Sequence, residues 1–442
     1  MTPKAKKQLV RRLVAHEAAA IARVSDRIAD LAEPGFQEVG SSKLLAGYLA
    51  DRGFRVDWPW RHMPTAFRAT CGKGRPTVGI LAEYDALPNC GPEDGQWGHG
   101  CGHNLLGAGS AVGAVAAARA LEARKLRGRV VLWGCPAEEI LAGKVYMARD
   151  GAFRRHDAIL AWHPGSDTRA VPLGGSSMDS VVFEYFGKTA HGAAAPHAGR
   201  SALDGVMLLD VAANYLREHV PENVRIHMCI LDGGDAPNVV PAYAKAWYYV
   251  RGKDRAQVDE IRARLVACAR GAARATETRL KVTRLAGCYS RLPSDVLAAL
   301  TDRNLRLFGA PRPTPRDRAN VERLGKEPKF SRGVREPSDR QGRGSSDEDS
   351  VSWLAPMGRF SMACISKEGV TGHHRDLAAQ VKLPFAHRGL LRAGEVLAGA
   401  ALDLLAGPKL LAKARAEFKK RTRGFTYDPL VPKRQKPPTV SP

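Results

Sequence analysis

The sequence predicts an α/β protein whose largely parallel sheet is interrupted by a smaller α+β sandwich. Three observations carry this. Through the first 177 of 442 residues, apolar runs of strand length alternate with helix-patterned stretches, the pattern of a parallel sheet with crossover helices. Over 178–288 the runs become alternating strands in the order β-α-β-β-α-β, which is ferredoxin-like. Strand-then-helix character returns at Val381–Leu405, so the first domain is split around the second. At about 100–200 residues per domain, two or three domains fit this length.

Each element has its own signal. Residues 9–32 carry helix-spaced apolar positions and stop at Glu33-Pro34-Gly35. Ser41–Arg52 reads as a helix ended by Gly53. Thr77–Ala82, Val130–Trp133 and Ala158–Trp162 read as buried strands. Leu105–Ala123, rich in Ala, Gly and Leu, reads as a buried helix, and Ala137–Asp150 as another. The change at Gly174-Gly175-Ser176-Ser177 opens the sandwich. Its strands are expected at Ser180–Phe186, Asn223–Leu231, Tyr243–Arg251 and Arg279–Arg284, and its helices at Ser201–His219 and Ala256–Thr276. Pro293–Phe308 is helical, and residues 311–345, rich in Pro, Gly, Arg and Asp, read as a loop insertion. The expected units are therefore 1–177, 178–288, 289–408 with the 311–345 insertion, and a basic tail over 409–442. Phe425–Pro442 is expected to be poorly ordered.

Net charge is +23, from 68 Lys and Arg against 45 Asp and Glu. Eighteen of those charges sit in three pieces: residues 1–15 and 311–345 at +5 each, and 408–442 at +8. The excess is peripheral and reads as solvated ends and a loop. No aromatic interleaving or groove-reading pattern accompanies it, so nucleic acid is not the expected partner. No apolar run approaches the ~20 residues of a membrane span, and the basic start lacks a signal-peptide core. The eight cysteines are scattered without a CxxC pair, which reads as reduced thiols in a cytoplasmic protein.

Four short clusters bear chemistry. Gly98-His-Gly-Cys101-Gly-His103-Asn104 brings a thiol and an imidazole two residues apart, with glycines that permit a turn around one metal. Cys135-Pro-Ala-Glu138-Glu139 follows a strand and offers one carboxylate as ligand and its neighbour as general base. His163 ends another strand in Ala161-Trp-His-Pro164, and Gly372-His373-His374 lies late in the chain. Each has an ordinary reading alone: packing residues, or an acidic first helical turn. Three of the four at or just beyond strand ends imply a Cys, His and carboxylate site with room for two divalent ions. One thiolate with imidazoles and carboxylates suits zinc, with manganese and cobalt as alternatives.

Glu83-Tyr-Asp-Ala-Leu-Pro88, GHGCGHN, PAEE and AWHP, in this order, resemble the M20 metallopeptidase family, and most closely its amidohydrolase branch. The GHGCGHNLLG form and Arg225-Ile-His…Gly233-Gly…Ala236-Pro-Asn-Val-Val-Pro241 resemble the aminobenzoyl-glutamate utilization B-type subgroup. The similarity runs from about Ala32 to Leu405. It implies a split metallopeptidase-type catalytic domain with an inserted lid and dimerisation domain. It implies Cys101 as a bridging thiolate between two metal ions (zinc or manganese), with His103, Glu139, His163 and His373 or His374 as further ligands. Asp85 would orient a ligand imidazole and Glu138 would be the general base. His191, in Gly187-Lys-Thr-Ala-His191-Gly, would reach the partner subunit's site and stabilise an oxyanion. Asn238 and Arg251 match substrate-holding positions, and Arg200 is a second guanidinium suited to a substrate carboxylate. The activity implied is hydrolysis of N-acyl or N-aroyl amino acids such as p-aminobenzoyl-glutamate, by a homodimer joined through the lid. The alternatives are a dipeptidase of the β-alanyl-lysine kind, a catalytically silent partner subunit, and a basic-surface binding protein.

Overall fold

A computed structural model describes residues 1–367 and 372–437. The chain begins with α1 (Pro3–Leu31), α2 (Val39–Ala50), β1 (Arg55–Asp57), β2 (Phe67–Lys73) and β3 (Thr77–Ala82). It continues with α3 (His103–Ala123), β4 (Gly128–Gly134), α4 (Gly143–Arg149), β5 (Ala158–Gly165) and β6 (Arg169–Ala170). The sandwich is β7 (Ser177–Phe186), α5 (Ala202–Glu218), β8 (Arg225–Asp232), β9 (Tyr243–Gly252), α6 (Arg255–Ala275) and β10 (Arg279–Cys288). The first domain then resumes with α7 (Asp295–Phe308), α8 (Pro315–Glu322), α9 (Glu348–Val351) and β11 (Met357–Ala363). It closes with α10 (Arg375–Ala378), α11 (Pro384–Ala406) and α12 (Pro408–Arg421).

The larger sheet has the order β1-β2-β4-β3-β5-β11-β6. Its middle, β4-β3-β5-β11, is parallel, and both edges are antiparallel. All six residues of β3 are buried, as expected of a strand covered on both faces. Helix α3 packs against the sheet with α1 and α11 in one apolar core. By length and composition α3 would cross a membrane, but here it is enclosed by protein. Gly109 explains part of its small-residue composition: a Cβ there would sit 2.4 Å from the Trp162 ring. The sandwich has the order β10-β7-β9-β8, all antiparallel, with α5 and α6 packed on it around Phe183, Tyr185 and Tyr248.

Five expectations change. The helix expected over Ala137–Asp150 covers only Gly143–Arg149, and residues 137–142 form a turn with Ala137 and Leu141 at φ 56° and 57°. Side chains there take the backbone donors a helix would need: Glu38 accepts from the Ala137 N–H at 2.7 Å and Asp85 from the Glu139 N–H at 2.8 Å. The late strand is β11 rather than the start of 381–405. Its polar Arg359 and Ser361 break the apolar run that marks the other central strands. The 311–345 insertion is not all loop, because Thr314 and Asp317 form a capping box that starts α8.

The basic tail expected over 409–442 is a packed element through residue 437. Helix α12 buries Leu411 and Ala414, while Phe425 and Tyr427 pack on Tyr289 at 5.6 and 5.5 Å. Leu430 and Val431 are buried. Spaced apolar residues dock the segment while its lysines and arginines face water. Residues 438–442 of that tail lie outside the described residues. The N-terminal charge likewise belongs to a helix: Lys6 bridges Asp403 at 2.7 Å and Asn304 at 3.0 Å. Strands β1 and β2 were not anticipated from sequence.

Candidate metal centre

Because β3, β4 and β5 are parallel, the residues that follow them reach the same edge of the sheet. Glu83 and Asp85 follow β3, Glu138 and Glu139 follow β4, and His163 lies near the end of β5. Cys101 and His103 arrive from the loop and first position of α3. His373 completes the group from a residue with φ 62°, its N–H donating to the Gly100 carbonyl at 2.9 Å.

Asp85 Oδ1 lies 2.8 Å from His103 Nδ1, so it accepts that N–H and turns the Nε2 lone pair inward. His163 Nδ1 donates to the Pro164 carbonyl at 2.7 Å, leaving its Nε2 3.4 Å from the Cys101 sulfur. His373 Nε2 lies 3.4 Å from Glu139 Oε2. His103 Nε2 lies 3.5 Å from Glu83 Oε2 and 3.9 Å from Glu138 Oε2. Among the described residues three triads result, Cys101–His103–His163, Cys101–Glu139–His373 and the fully buried Glu83–His103–Glu138, and the ligand atoms within each lie within 4.8 Å of one another. The first two share the Cys101 sulfur.

These residues fit divalent ions. His103 Nε2 and Glu139 Oε1 are buried and accept no hydrogen bond within the described residues. Buried lone pairs converging without donors are costly unless a cation satisfies them. Burial and then Glu139 push the Cys101 thiol up to about 12, so a thiolate there needs a cation beside it. Burial, then Arg359, holds His163 down at about 3, which keeps its imidazole neutral, the form that can ligate a metal. Burial, Glu83 and Glu139 raise Glu138 well above the usual carboxylate range.

Sequence reading missed the support beneath this group. Lys144 is fully buried and its Nζ bridges Glu83 Oε1 at 2.7 Å and Asp347 Oδ1 at 2.5 Å. Burial opposes ionisation of Glu83, but Lys144 and then His103 hold its carboxyl at about 2. A lone lysine inside the apolar stretch Leu141-Ala-Gly-Lys-Val-Tyr-Met147 was the available signal. Glu38, which ties the 137–142 turn, was also missed.

The other anticipated residues divide. His374 caps α10, its Nδ1 accepting the Asp376 N–H at 3.1 Å, so His373 is the member of the pair that faces the cluster. His99 is a core residue, bonded to the Ile28 carbonyl at 3.1 Å and the Asn104 N–H at 3.2 Å. Arg251 lines the cavity of about 300 Å³ that holds Cys101, Glu138, Glu139 and His373. Arg200 instead pairs with Glu277 at 2.8 Å. His191 and Asn238 sit together on the exposed side of the sandwich: His191 bridges Val239, and the Asn238 carbonyl accepts the Gly192 N–H at 2.7 Å. The single chain does not bring these two to the cluster.

Along nearly its whole length the chain is similar to one of the subunits of p-aminobenzoyl-glutamate hydrolase from Escherichia coli (strain K12). The two are 32% identical, in an alignment covering 94% of this chain and 95% of that one. The chain belongs to the M20 family. Residues 175–277, the sandwich up to the end of α6, match the peptidase dimerisation domain of M20 enzymes. Xaa-Arg dipeptidase of Homo sapiens is 30% identical over 84% of this chain and 79% of its own length. A solved dinuclear metal-binding M20 peptidase from Bacillus subtilis shares the fold, with a TM-score of 0.56 at 20% identity over 88% of this chain and 99% of its own. This M20 chain is a hydrolase of amide bonds.

Proposed function

We propose that this M20 chain is a metal-dependent amidohydrolase that releases an amino acid from N-acyl or N-aroyl conjugates of the p-aminobenzoyl-glutamate kind. The observation that carries this is the pair of ligand triads sharing Cys101, with Glu138 beside them: it belongs to neither, and meets them through His103 in the third group with Glu83. The name of the Escherichia coli relative supports the substrate class.

Cys101, His103 and His163 would hold one ion, and Cys101, Glu139 and His373 the other. Bound divalent ions supply Lewis acidity to the amide carbonyl and acidify the attacking water. The thiol, imidazole and carboxylate donors favour zinc, with manganese as the alternative. Glu138 takes the proton of the attacking water and returns it to the leaving amine nitrogen. Asp85 keeps His103 in the ligating tautomer.

The reading includes a homodimer and a reducing, cytoplasmic setting. Met207, Leu208, Val211 and Tyr215 of α5 are exposed at 42–74%, and the open edge strand β8 carries exposed Ile230 and Leu231. Such apolar surface, together with a free sheet edge, suits self-association. His191 and Asn238, solvent-facing in one protomer, would then complete the partner's cavity and stabilise the oxyanion. All eight cysteines are free thiols.

The test is elemental analysis of protein purified without chelator, with hydrolysis assayed on N-acyl amino acids, p-aminobenzoyl-glutamate and dipeptides. About two ions per chain and chelator-sensitive release of an amino acid are expected. Glu138→Gln should lower turnover by about 10²–10⁴-fold with metal content unchanged. Wild-type turnover in that variant would remove Glu138 from the role of base.

A further inference from the structure

Beside the cluster cavity lies a second groove of about 400 Å³, and Arg251 and Gly342 line both spaces. Arg225, Arg251, Lys253 and Arg343 face this groove, against the single carboxylate of Glu222. Among the described residues none of these four cations is paired with a carboxylate. The Arg225 guanidinium donates to backbone carbonyls, including Val224 at 2.7 Å, and Arg251 Nε is buried without a partner.

The fold holds these charges close together. Arg225 and Arg251 are direct cross-strand partners on β8 and β9, a like-charge pairing that is destabilising by itself. Lys253, in the bend just beyond the end of β9, lines the same groove. From across the groove the end of the insertion is pinned. Gln341 donates to the carbonyls of Lys253 and Gly175, each at 3.0 Å, and the Ser176 N–H donates to the Gly344 carbonyl at 2.6 Å. A Cβ on Gly175 would lie 2.1 Å from the Gly344 carbonyl oxygen, so glycine lets this segment seat. Arg343 is thereby held over the strands.

We propose that this groove is a subsite for a second anionic group of the substrate, so that the preferred leaving amino acid carries a side-chain carboxylate. The inference rests on the amidohydrolase reading. A conjugate at the cluster passes Arg251 to reach the groove, where guanidinium groups bind carboxylate bidentately. Four clustered cations also concentrate anions at the mouth of the site. An arginine conjugate would place a cation among them and be rejected. The 311–345 insertion thereby acts as a specificity wall, through Gln341 and Arg343.

Matched N-benzoyl conjugates of glutamate, glycine and arginine test this with the full-length, metal-loaded protein. The expected kcat/KM order is glutamate, then glycine, then arginine, with glutamate ahead of glycine by about tenfold or more and the gap shrinking as salt rises. The double variant Lys253→Ala/Arg343→Ala, at two exposed positions, should bring the glutamate-to-glycine ratio toward one. Calorimetric binding of N-benzoyl-glutamate, against N-benzoyl-glycine, gives a readout independent of turnover. Equal handling of glutamate and glycine conjugates, or an unchanged ratio in the double variant, overturns the groove and leaves the amidohydrolase standing. Selective glutamate binding that the double variant abolishes, without hydrolysis of any conjugate, keeps the groove and overturns the catalytic reading. Neither binding nor hydrolysis overturns both.

Discussion

Asp85 serves two elements with its two oxygens. One accepts the His103 imidazole N–H and the other the Glu139 backbone N–H, each at 2.8 Å. Removing it frees the His103 tautomer and loosens the turn that aims Glu139. Asp85→Ala should weaken metal binding by about 10–100-fold, read by competition with a chromogenic chelator. Lys144 supports the site from below, with both of its carboxylate partners buried. Lys144→Met strands Glu83 and Asp347 without a counter-charge, at a cost of about 3–5 kcal/mol. Denaturant unfolding would show this as a lowered midpoint. An unchanged midpoint would mean that the three groups share a proton rather than an ion pair.

At the scale of elements, the N-terminal helices are tied by Glu17. Its Oε2 accepts from Tyr48 at 3.1 Å and from Arg52 Nε at 2.6 Å, linking α1 to the end of α2. Burial pushes the carboxyl up, but Arg52 outweighs it and holds the group below its ordinary value. A carboxylate depressed in the folded state stabilises fully above its unfolded pKa of about 4.3. That contribution disappears as pH falls through the lower folded value. Glu17→Ala should therefore cost about 1–3 kcal/mol at neutral pH and progressively less below pH ~4. Urea titrations of both proteins across that range read the convergence, and a constant difference would sink the ionic account. The same side-chain competition for backbone donors explains the 137–142 turn. Helix propensity there loses to Glu38 and Asp85, which lie far away in sequence.

At the scale of the molecule, the proposed function couples catalysis to assembly through the sandwich. Val211 is 48% exposed in the apolar stripe of α5, so Val211→Glu should dissociate the proposed homodimer with little effect on folding. Sedimentation should show the monomer. Turnover should fall with it, as the proposed action of His191 in the partner's cavity requires. A fully active monomer would end the trans role of His191.

Much was legible in the sequence because it is written locally. Strand-length apolar runs, the alternation of the sandwich and the Gly-rich Cys101–His103 loop each depend on neighbouring residues, and each reappears in the structure. Parallel strand order then requires their carboxyl ends to share an edge. Other features depend on residues hundreds of positions apart. The choice of His373 over His374 follows from a backbone bond to Gly100 and a cap on α10. Lys144 acquires meaning only beside Glu83 and Asp347. The insertion and the basic tail, polar by composition, become structural because capping and a few apolar side chains dock them. Local patterning determined the class of fold and the residue types that gather at the sheet edge. Tertiary packing decided which atoms meet, because only the folded chain brings distant charges and donors within bonding distance.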